Sequence, residues 1–116
     1  MPVKIKRIYE PFSKDDGYRI LVDRLWPRGI KKEEAHIDKW MKEIAPSTEL
    51  RQWFHQESEA DHWEQFVKAY IAELRKSDAV EELLSDISAH KNVTLLFAAK
   101  DAERNHALVL RQFINA

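Results

Sequence analysis

The sequence predicts a small α/β domain, with a mostly parallel layered sheet flanked by helices, in one unit over residues 1–116. The run VTLLFAA at 93–99 is uncharged and does not alternate, which is typical of a central strand buried on both faces. Strand patterns lie at both ends of the chain with helical periodicities between them, an order that favours a layered α/β arrangement. A length of 116 residues suits one domain with a single core.

Two further strands are predicted in the first quarter of the chain. VKIKRIYE at 3–10 mixes β-branched and basic residues, and YRILVDRL at 18–25 is apolar on both faces. Gly17 lies between them in a polar stretch and supplies a turn. KKEEA at 31–35 predicts a short helical turn. Residues 37–44 fit either a helix or a strand, and both interpretations stay open.

The middle of the chain predicts two helices. Ser47 is a good N-cap for the first of them. The second begins at Ser58 or Asp61. Its apolar residues keep a 3-4-3-4-3 spacing, which predicts one buried helical face; they are Trp63, Phe66, Val67, Tyr70, Ile71 and Leu74.

Two more helices are predicted from their starting residues. Asp78 with Glu81 three residues later resembles a capping box. Asp101 directly follows the 93–99 strand and is predicted to be the N-cap of the last helix. The side chains of that helix that face inward are expected to be Val109, Leu110 and Phe113.

Composition excludes several classes of protein. The formal net charge of −1 gives the whole molecule no attraction for nucleic acid or an anionic membrane. The chain has no cysteine, which excludes disulfides, thiolate metal sites and cysteine nucleophiles. The first residues contain no apolar signal segment, and no window approaches a membrane span. We therefore expect a cytoplasmic protein with no membrane partner.

Two kinds of cofactor site find no support in the sequence. Gly17 and Gly29 are the only glycines, so there is no glycine-rich phosphate loop of the kind that nucleoside triphosphatases and dinucleotide enzymes use. His55, His62 and Asp61 do not have a recognised ligand spacing, so no metal is expected. The sequence identifies no cofactor and leaves the oligomeric state open.

The stretch LVDRLWPRG at 21–29 places charged and aromatic residues where a strand ends. Ligands of α/β proteins collect at the carboxyl ends of strands, so we predict that Asp23, Arg24, Trp26 and Arg28 bind ligand. Two arginine forks around one turn suit a carboxylate or phosphate. In the alternative interpretation, Asp23 pairs with an arginine and Trp26 is a core anchor.

A second group follows the 93–99 strand. The start of a helix offers free N–H groups to an anion, and Lys100 beside it adds a positive charge. Asn105 and His106 are expected about one turn into that helix. Histidine is the side chain most suited to acid–base chemistry at physiological pH, which makes His106, with Asp101, the candidate for acid–base catalysis; Lys100 and Asn105 are ligand-binding candidates. Alternatively, Asp101 is only a cap, Lys100 is solvated and His106 covers the edge of the core.

The chain resembles the YeaO-like branch of the bacterial domain-of-unknown-function family 488. The resemblance rests on LVDRLWPRG (21–29), KWMKEIAPS (39–47), LRQWF (50–54) and VTLLFAAKDAERNHALVL (93–110). It implies a small cytosolic α/β protein with no established activity, and it adds Lys42 and Ser47 to the ligand-binding candidates. Broader relatives tend to have cysteines in the last strand and helix. Phe97 in that strand and Asn105 before His106 leave a thiol-based role without support here.

Three functions are consistent with these residues. We favour a pocket for an anionic small molecule, phosphorylated or nucleotide-like, because up to four cations and one histidine would converge there; whether it catalyses a reaction is open. A structural or protein-interaction module ranks second. A nucleic-acid-binding regulatory module ranks third, since the basic segment 17–32 and Trp26 favour it but the net charge and the lack of a recognition helix do not.

Overall fold

A computed structural model of the protein describes residues 3–56, 62–101 and 103–115. In this part of the chain four strands form one sheet: β1 (Val3–Arg7), β2 (Tyr18–Leu21), β3 (Lys39–Trp40) and β4 (Val93–Phe97). The strand order is β1-β4-β2-β3 and every pairing is parallel. The predicted α/β class is confirmed, and β4 lies inside the sheet as its uncharged sequence indicated.

Five helices lie between and after the strands in the described part of the chain. They are α1 (Lys32–Ala35), α2 (Thr48–Gln56), α3 (Trp63–Arg75), α4 (Ala79–Ala89) and α5 (His106–Asn115). Two 3-10 turns span Lys14–Asp16 and Lys42–Ile44. The ambiguous segment 37–44 therefore contains the short strand β3 and a 3-10 turn, while the predicted helix starts at Ser58 or Asp61 lie outside the described residues. No helix in the described ranges has the length and apolar character needed to cross a membrane.

The two faces of the sheet are covered differently. On the first face, Ile20, Val22 and Leu95 join a core to which α2, α3, α4 and α5 all contribute. The predicted stripe of α3 packs here, as do the inward residues of α5. On the second face, Leu21 and Leu96 form a smaller cluster under side chains from non-helical segments. These are Trp26, Ile30, Ile37, Trp40 and Ala98. The long helices thus cover one face, and the chain between β2 and β3 covers much of the other.

A buried ion-pair network lies beside the start of β2 and consists of Lys6, Asp16 and Arg19. The Arg19 side chain is 2 % exposed, and its guanidinium donates to the Asp16 carboxylate. It also donates to the carbonyls of His36 at 3.0 Å and Ala35 at 3.2 Å. The Lys6 ammonium lies 3.1 Å from the same carboxylate. The network therefore satisfies a fully buried arginine.

The pKa of Asp16 reflects this network. Burial raises it, but the hydrogen bonds from Lys6, the Ser13 backbone and Arg19 outweigh burial and hold the pKa of Asp16 below its ordinary value. The carboxylate is therefore charged in the folded protein at neutral pH.

Gly17 performs the predicted turn for a steric reason. Its φ is +68°, a conformation that side chains with a Cβ rarely adopt. A Cβ at this position would lie 2.2 Å from the Asn92 carbonyl oxygen. That same carbonyl accepts the Tyr18 N–H at 2.9 Å, so the close approach aligns β2 with β4.

The first two strands end earlier than predicted. The predicted strand 18–25 stops at Leu21, although the Val22 N–H still donates to the Leu96 carbonyl at 3.0 Å. At the next pairing position, the Ala98 N–H donates to the Asp23 carboxylate at 2.9 Å, so a side chain replaces the backbone. The predicted strand 3–10 stops at Arg7, whose carbonyl accepts the Glu10 N–H in a turn.

The predicted cap at the start of α2 is present, whereas the one predicted at the start of α4 is not. The Ser47 hydroxyl accepts the Leu50 N–H at 3.2 Å, which confirms the predicted N-cap of α2. The capping box predicted at Asp78 is wrong, because Asp78 makes no side-chain cap hydrogen bond. The Ser77 hydroxyl instead accepts the Ala79 N–H at 3.2 Å.

Candidate functional site

A cleft of about 660 Å³ opens where β2 and β4 end. The loops after these strands form one side, and residues of α2, α3 and α5 complete it. Eight of the ten predicted site residues line it: Asp23, Arg24, Trp26, Arg28, Lys100, Asp101, Asn105 and His106. Lys42 and Ser47 do not. Two segments about 75 residues apart in the chain thus meet because their strands are adjacent and parallel.

Asp23 and His106 join three elements at the base of this cleft. One Asp23 carboxylate oxygen accepts the Ala98 N–H, which links the ends of β2 and β4. His106 Nε2 lies 2.9 Å from the Val22 carbonyl oxygen and 3.0 Å from Asp23 Oδ1. Both neighbours are acceptors, so we assign the ring hydrogen to Nε2. Oδ1 is buried and makes no hydrogen bond within the described ranges, which leaves His106 as its electrostatic neighbour.

Tyr70 packs behind this pair. Its ring meets the His106 ring edge-on, with 6.2 Å between centroids. Its hydroxyl donates to the Ile44 carbonyl at 2.7 Å. Burial, followed by the charges of Glu73 and Asp23, raises the pKa of Tyr70 above its ordinary value. Tyr70 is therefore a neutral hydrogen-bond donor that supports His106.

The N-cap of α5 is Asn105 and not Asp101. The Asn105 side-chain oxygen accepts the Leu108 N–H at 2.9 Å, and α5 begins at His106. Asp101 closes a separate turn by accepting the N–H groups of Glu103 at 2.8 Å and Arg104 at 3.0 Å. These two hydrogen bonds lower the pKa of Asp101. The prediction placed the helix start four residues too early, because an Asp at a turn and an Asp at a helix start form the same local hydrogen bonds.

Arg24 and Trp26 are held in place by the protein backbone. The Arg24 guanidinium donates to the carbonyls of Pro46 at 3.1 Å and Ala45 at 3.2 Å, which ties the end of β2 to the segment before α2. The Trp26 indole donates to the Ile30 carbonyl at 2.8 Å, and its ring packs in the second-face cluster. Trp26 thus has the core-anchor position of the alternative interpretation while one side of it lines the cleft.

Three cations of the cleft have no acidic partner in the described part of the chain. Arg28, Arg51 and Lys100 are exposed and line the cleft. Within residues 3–56, 62–101 and 103–115, none of their side-chain nitrogens makes a hydrogen bond or ion pair. Arg104 is a further lining cation, and its charge contributes to the lowered pKa of Asp101.

Lys42 and Ser47 lie elsewhere. The Lys42 ammonium is 4.3 Å from the centroid of the Trp40 ring, a cation–π contact. Ser47 lines a smaller depression beside Glu73. Its hydroxyl donates to Glu73 at 2.6 Å and its N–H donates to the other carboxylate oxygen at 2.9 Å. Glu73 thus occupies the start of α2, where an anion would otherwise bind.

Several lining residues are absent from the predicted site. Arg51 and His55 come from α2, and Trp63 comes from the apolar stripe of α3. The start of the helix after Ser47 is a natural third wall for a pocket at the strand ends, but no local pattern shows which of its residues face inward. Arg104 lies within the AAKDAERNHA block, so its proximity to Lys100 was available as a signal.

The described residues contain no group of three histidine, aspartate or glutamate side chains that could hold a metal ion. Asp61, one member of the weak candidate set with His55 and His62, lies outside the described ranges.

Comparison with known proteins identifies the family. A family model described as "Inactive DUF488-N3 subclade" matches residues 2–116. The chain belongs to this subclade. The protein called "Uncharacterized protein YeaO" of Escherichia coli K12 is 47 % identical over 116 residues, covering 100 % of this chain and 99 % of the relative. Uncharacterized proteins of Mycobacterium bovis and Mycobacterium tuberculosis are 41 % identical over 113 residues, covering 97 % of this chain and 93 % of each relative. No solved structure matches the chain. The resemblance to the YeaO-like branch of family 488 is confirmed.

Proposed function

We propose that this member of the DUF488-N3 subclade binds a small phosphorylated molecule in the cleft at the strand ends. The observation that carries the proposal is the set of three cations, Arg28, Arg51 and Lys100, that share one cleft and have no acidic partner in the described part of the chain. Unpaired like charges around a concavity attract an external ion of the opposite sign, here an anion.

The charge balance of the cleft supports an anionic ligand. Among the described residues, five cationic side chains line it against two carboxylates, those of Asp23 and Asp101, whereas the whole chain has a net charge of −1. The Asp23 carboxylate accepts the Ala98 N–H and neighbours His106, and Asp101 accepts two backbone N–H groups. Neither acid neutralises Arg28 or Lys100. A cleft lined by one sign of charge focuses its field and attracts the opposite charge.

The dimensions suit a metabolite. A cleft of about 660 Å³ lies within the range of about 300–1,000 Å³ that ligand pockets span. Arginine recognises phosphate through two parallel N–H donors, while lysine contributes a point charge. Arg28 and Lys100, which line the cleft from the loops after β2 and β4, would supply these two kinds of contact to one phosphate.

We further propose that the protein binds its ligand without transforming it. The subclade is described as inactive. His106, the predicted acid–base group, directs Nε2 at the Val22 carbonyl, a contact that braces the cleft. The Asp101 carboxylate accepts two backbone N–H groups within its own turn. In this proposal His106 and Asp101 shape the cleft that Arg28 and Lys100 use to hold the anion.

Isothermal titration calorimetry with pyrophosphate tests the proposal. We expect the wild-type protein to bind, and the double variant Arg28→Ala/Lys100→Ala to lose at least tenfold in affinity. The matched control is Lys68→Ala/Arg75→Ala, which removes two exposed cations of α3 that do not line the cleft. At 100 times its dissociation constant, pyrophosphate should also stabilise the wild type by about 2.7 kcal/mol. Equal losses in both double variants, or no binding at low salt, would contradict the proposal.

A further inference from the structure

The two sides of the cleft differ in chemistry. The loops after β2 and β4 contribute the cations Arg28 and Lys100. The side formed by α2 and α3 contributes the cation Arg51 together with the aromatic rings of Phe54, Trp63 and Phe66. A bare oxyanion would use the cations and leave these rings without a role. The second side therefore points to a ligand with a flat apolar part.

The aromatic side is a packed platform with one accessible ring. Phe54 and Phe66 lie 4.5 Å apart between centroids, and Trp63 stacks on Phe66 at 5.5 Å with an interplanar angle of 20°. Phe54 and Phe66 are only 5 % and 4 % exposed, whereas Trp63 is partly exposed. Trp63 is therefore the ring of this group that presents surface to a ligand, and Phe66 holds it from behind.

The indole N–H of Trp63 has no acceptor in the described ranges. By contrast, the Trp26 and Trp40 indoles donate to the carbonyls of Ile30 and Asp23. Among the described residues, Asp23 Oδ1 is the buried side-chain polar atom without a partner, so the Trp63 N–H is open to solvent. Trp63 therefore presents a partly exposed ring and an accessible N–H.

We propose that the ligand is a nucleotide whose base packs on Trp63 and whose phosphate is held by Arg28 and Lys100. This assignment rests on the proposed function, since it uses the same cleft and cations. Every nucleobase has a π-face that stacks on aromatic side chains, and one such stack contributes substantially to affinity. A sugar phosphate offers the same phosphate and no such face.

The experiment compares ligands that differ only in the base. Ribose 5-phosphate is titrated by calorimetry beside AMP, GMP, CMP and UMP, with the full chain. We expect at least one nucleotide to bind about tenfold more tightly than ribose 5-phosphate, the effect of a single stack. In Trp63→Leu this advantage should disappear while ribose 5-phosphate binds as before. The control is Trp53→Leu, since Trp53 is an exposed tryptophan of α2 outside the cleft.

The outcomes separate the two proposals. If all four nucleotides bind no more tightly than ribose 5-phosphate, the nucleotide assignment is wrong and the anion site stands. If Trp53→Leu removes the advantage and Trp63→Leu does not, the platform is misplaced and the assignment is also wrong. If no phosphorylated compound binds the wild type, the proposed function fails. The wild-type comparison is decisive even if Trp63→Leu does not fold.

Discussion

Two groups of cations near opposite ends of β2 have opposite surroundings. At the start of β2, Arg19 is buried and each of its three guanidinium nitrogens donates to a carboxylate or a backbone carbonyl. Beyond the end of β2, Arg28 is exposed and lines the same cleft as Lys100, and neither has an acceptor in the described part of the chain. The first group is complete within the protein, whereas the second is complete only with an added anion.

The two groups of cations should contribute to different properties, the first to stability and the second to ligand binding. Burying a charge without partners is costly, so a buried arginine persists only where its hydrogen bonds are all made. An exposed arginine stays hydrated and contributes little to folding, which leaves its donors available. Substitutions in the ion-pair network should therefore change the free energy of unfolding, and substitutions in the cleft should change affinity.

The largest effect is expected from Arg19→Met. This variant keeps the apolar stem of the side chain but leaves the buried Asp16 carboxylate with Lys6 and the Ser13 N–H as its remaining partners. Breaking a buried pair costs about 3–5 kcal/mol, and urea unfolding measures the loss. Arg28→Met is the matched control and should change the unfolding free energy by less than about 0.5 kcal/mol. Similar losses in both variants would remove the distinction between the two groups.

A smaller effect is expected from Asn105→Ala. Its side chain caps α5 and is 3 % exposed, so its loss should cost about 1 kcal/mol. Asp101→Ala opens an exposed turn and should destabilise the protein less than Asn105→Ala does. Thermal unfolding of the two variants side by side measures the difference. The reverse order would restore Asp101 as the cap of the helix.

The smallest effect is a change in the acid dependence of stability. The pKa of Asp16 is lowered in the folded protein, so the unfolded chain takes up a proton at this site at higher pH than the folded one. The stabilisation is therefore present above the unfolded pKa of about 3.9 and is lost as the pH falls through the folded pKa. Urea unfolding between pH 2 and 7 should show this decline, and Asp16→Asn should make it shallower. An unchanged slope in Asp16→Asn would assign the acid sensitivity to other carboxylates.

Patterns that depend on burial were predictable from the sequence. The uncharged run 93–99 could be stable only inside a sheet, and β4 lies there. The 3-4-3-4-3 stripe of α3 could bury its apolar residues only as a helix, and it packs on the core. Strand ends were less predictable, since the Asp23 side chain takes over a hydrogen bond that the backbone pattern would assign to a longer strand.

The location of the candidate site was predictable from the sequence, but several of the residues that line it were not. The proximity of segments 21–29 and 98–106 was predictable, because parallel strands end at the same edge of a sheet. The two segments follow β2 and β4, which are adjacent and parallel. Arg51 and Trp63 joined from the far wall, and no local pattern predicts which face of one element opposes another. Lys42 and Ser47 lie in the 39–47 block but outside the cleft. Ser47 contacts Glu73, and Lys42 contacts Trp40.

The sequence by itself determined the α/β class, the central strand, the helical stripe and the edge of the sheet where charge collects, since hydrophobic periodicity and turn residues are local properties of the chain. Only the tertiary structure decided which charges are paired. Arg19 and Arg28 are the same residue type nine positions apart. One is enclosed by Asp16 and two carbonyls, while the other faces an open cleft. Whether a charge is paired depends on residues that are close to it in space but distant in the sequence.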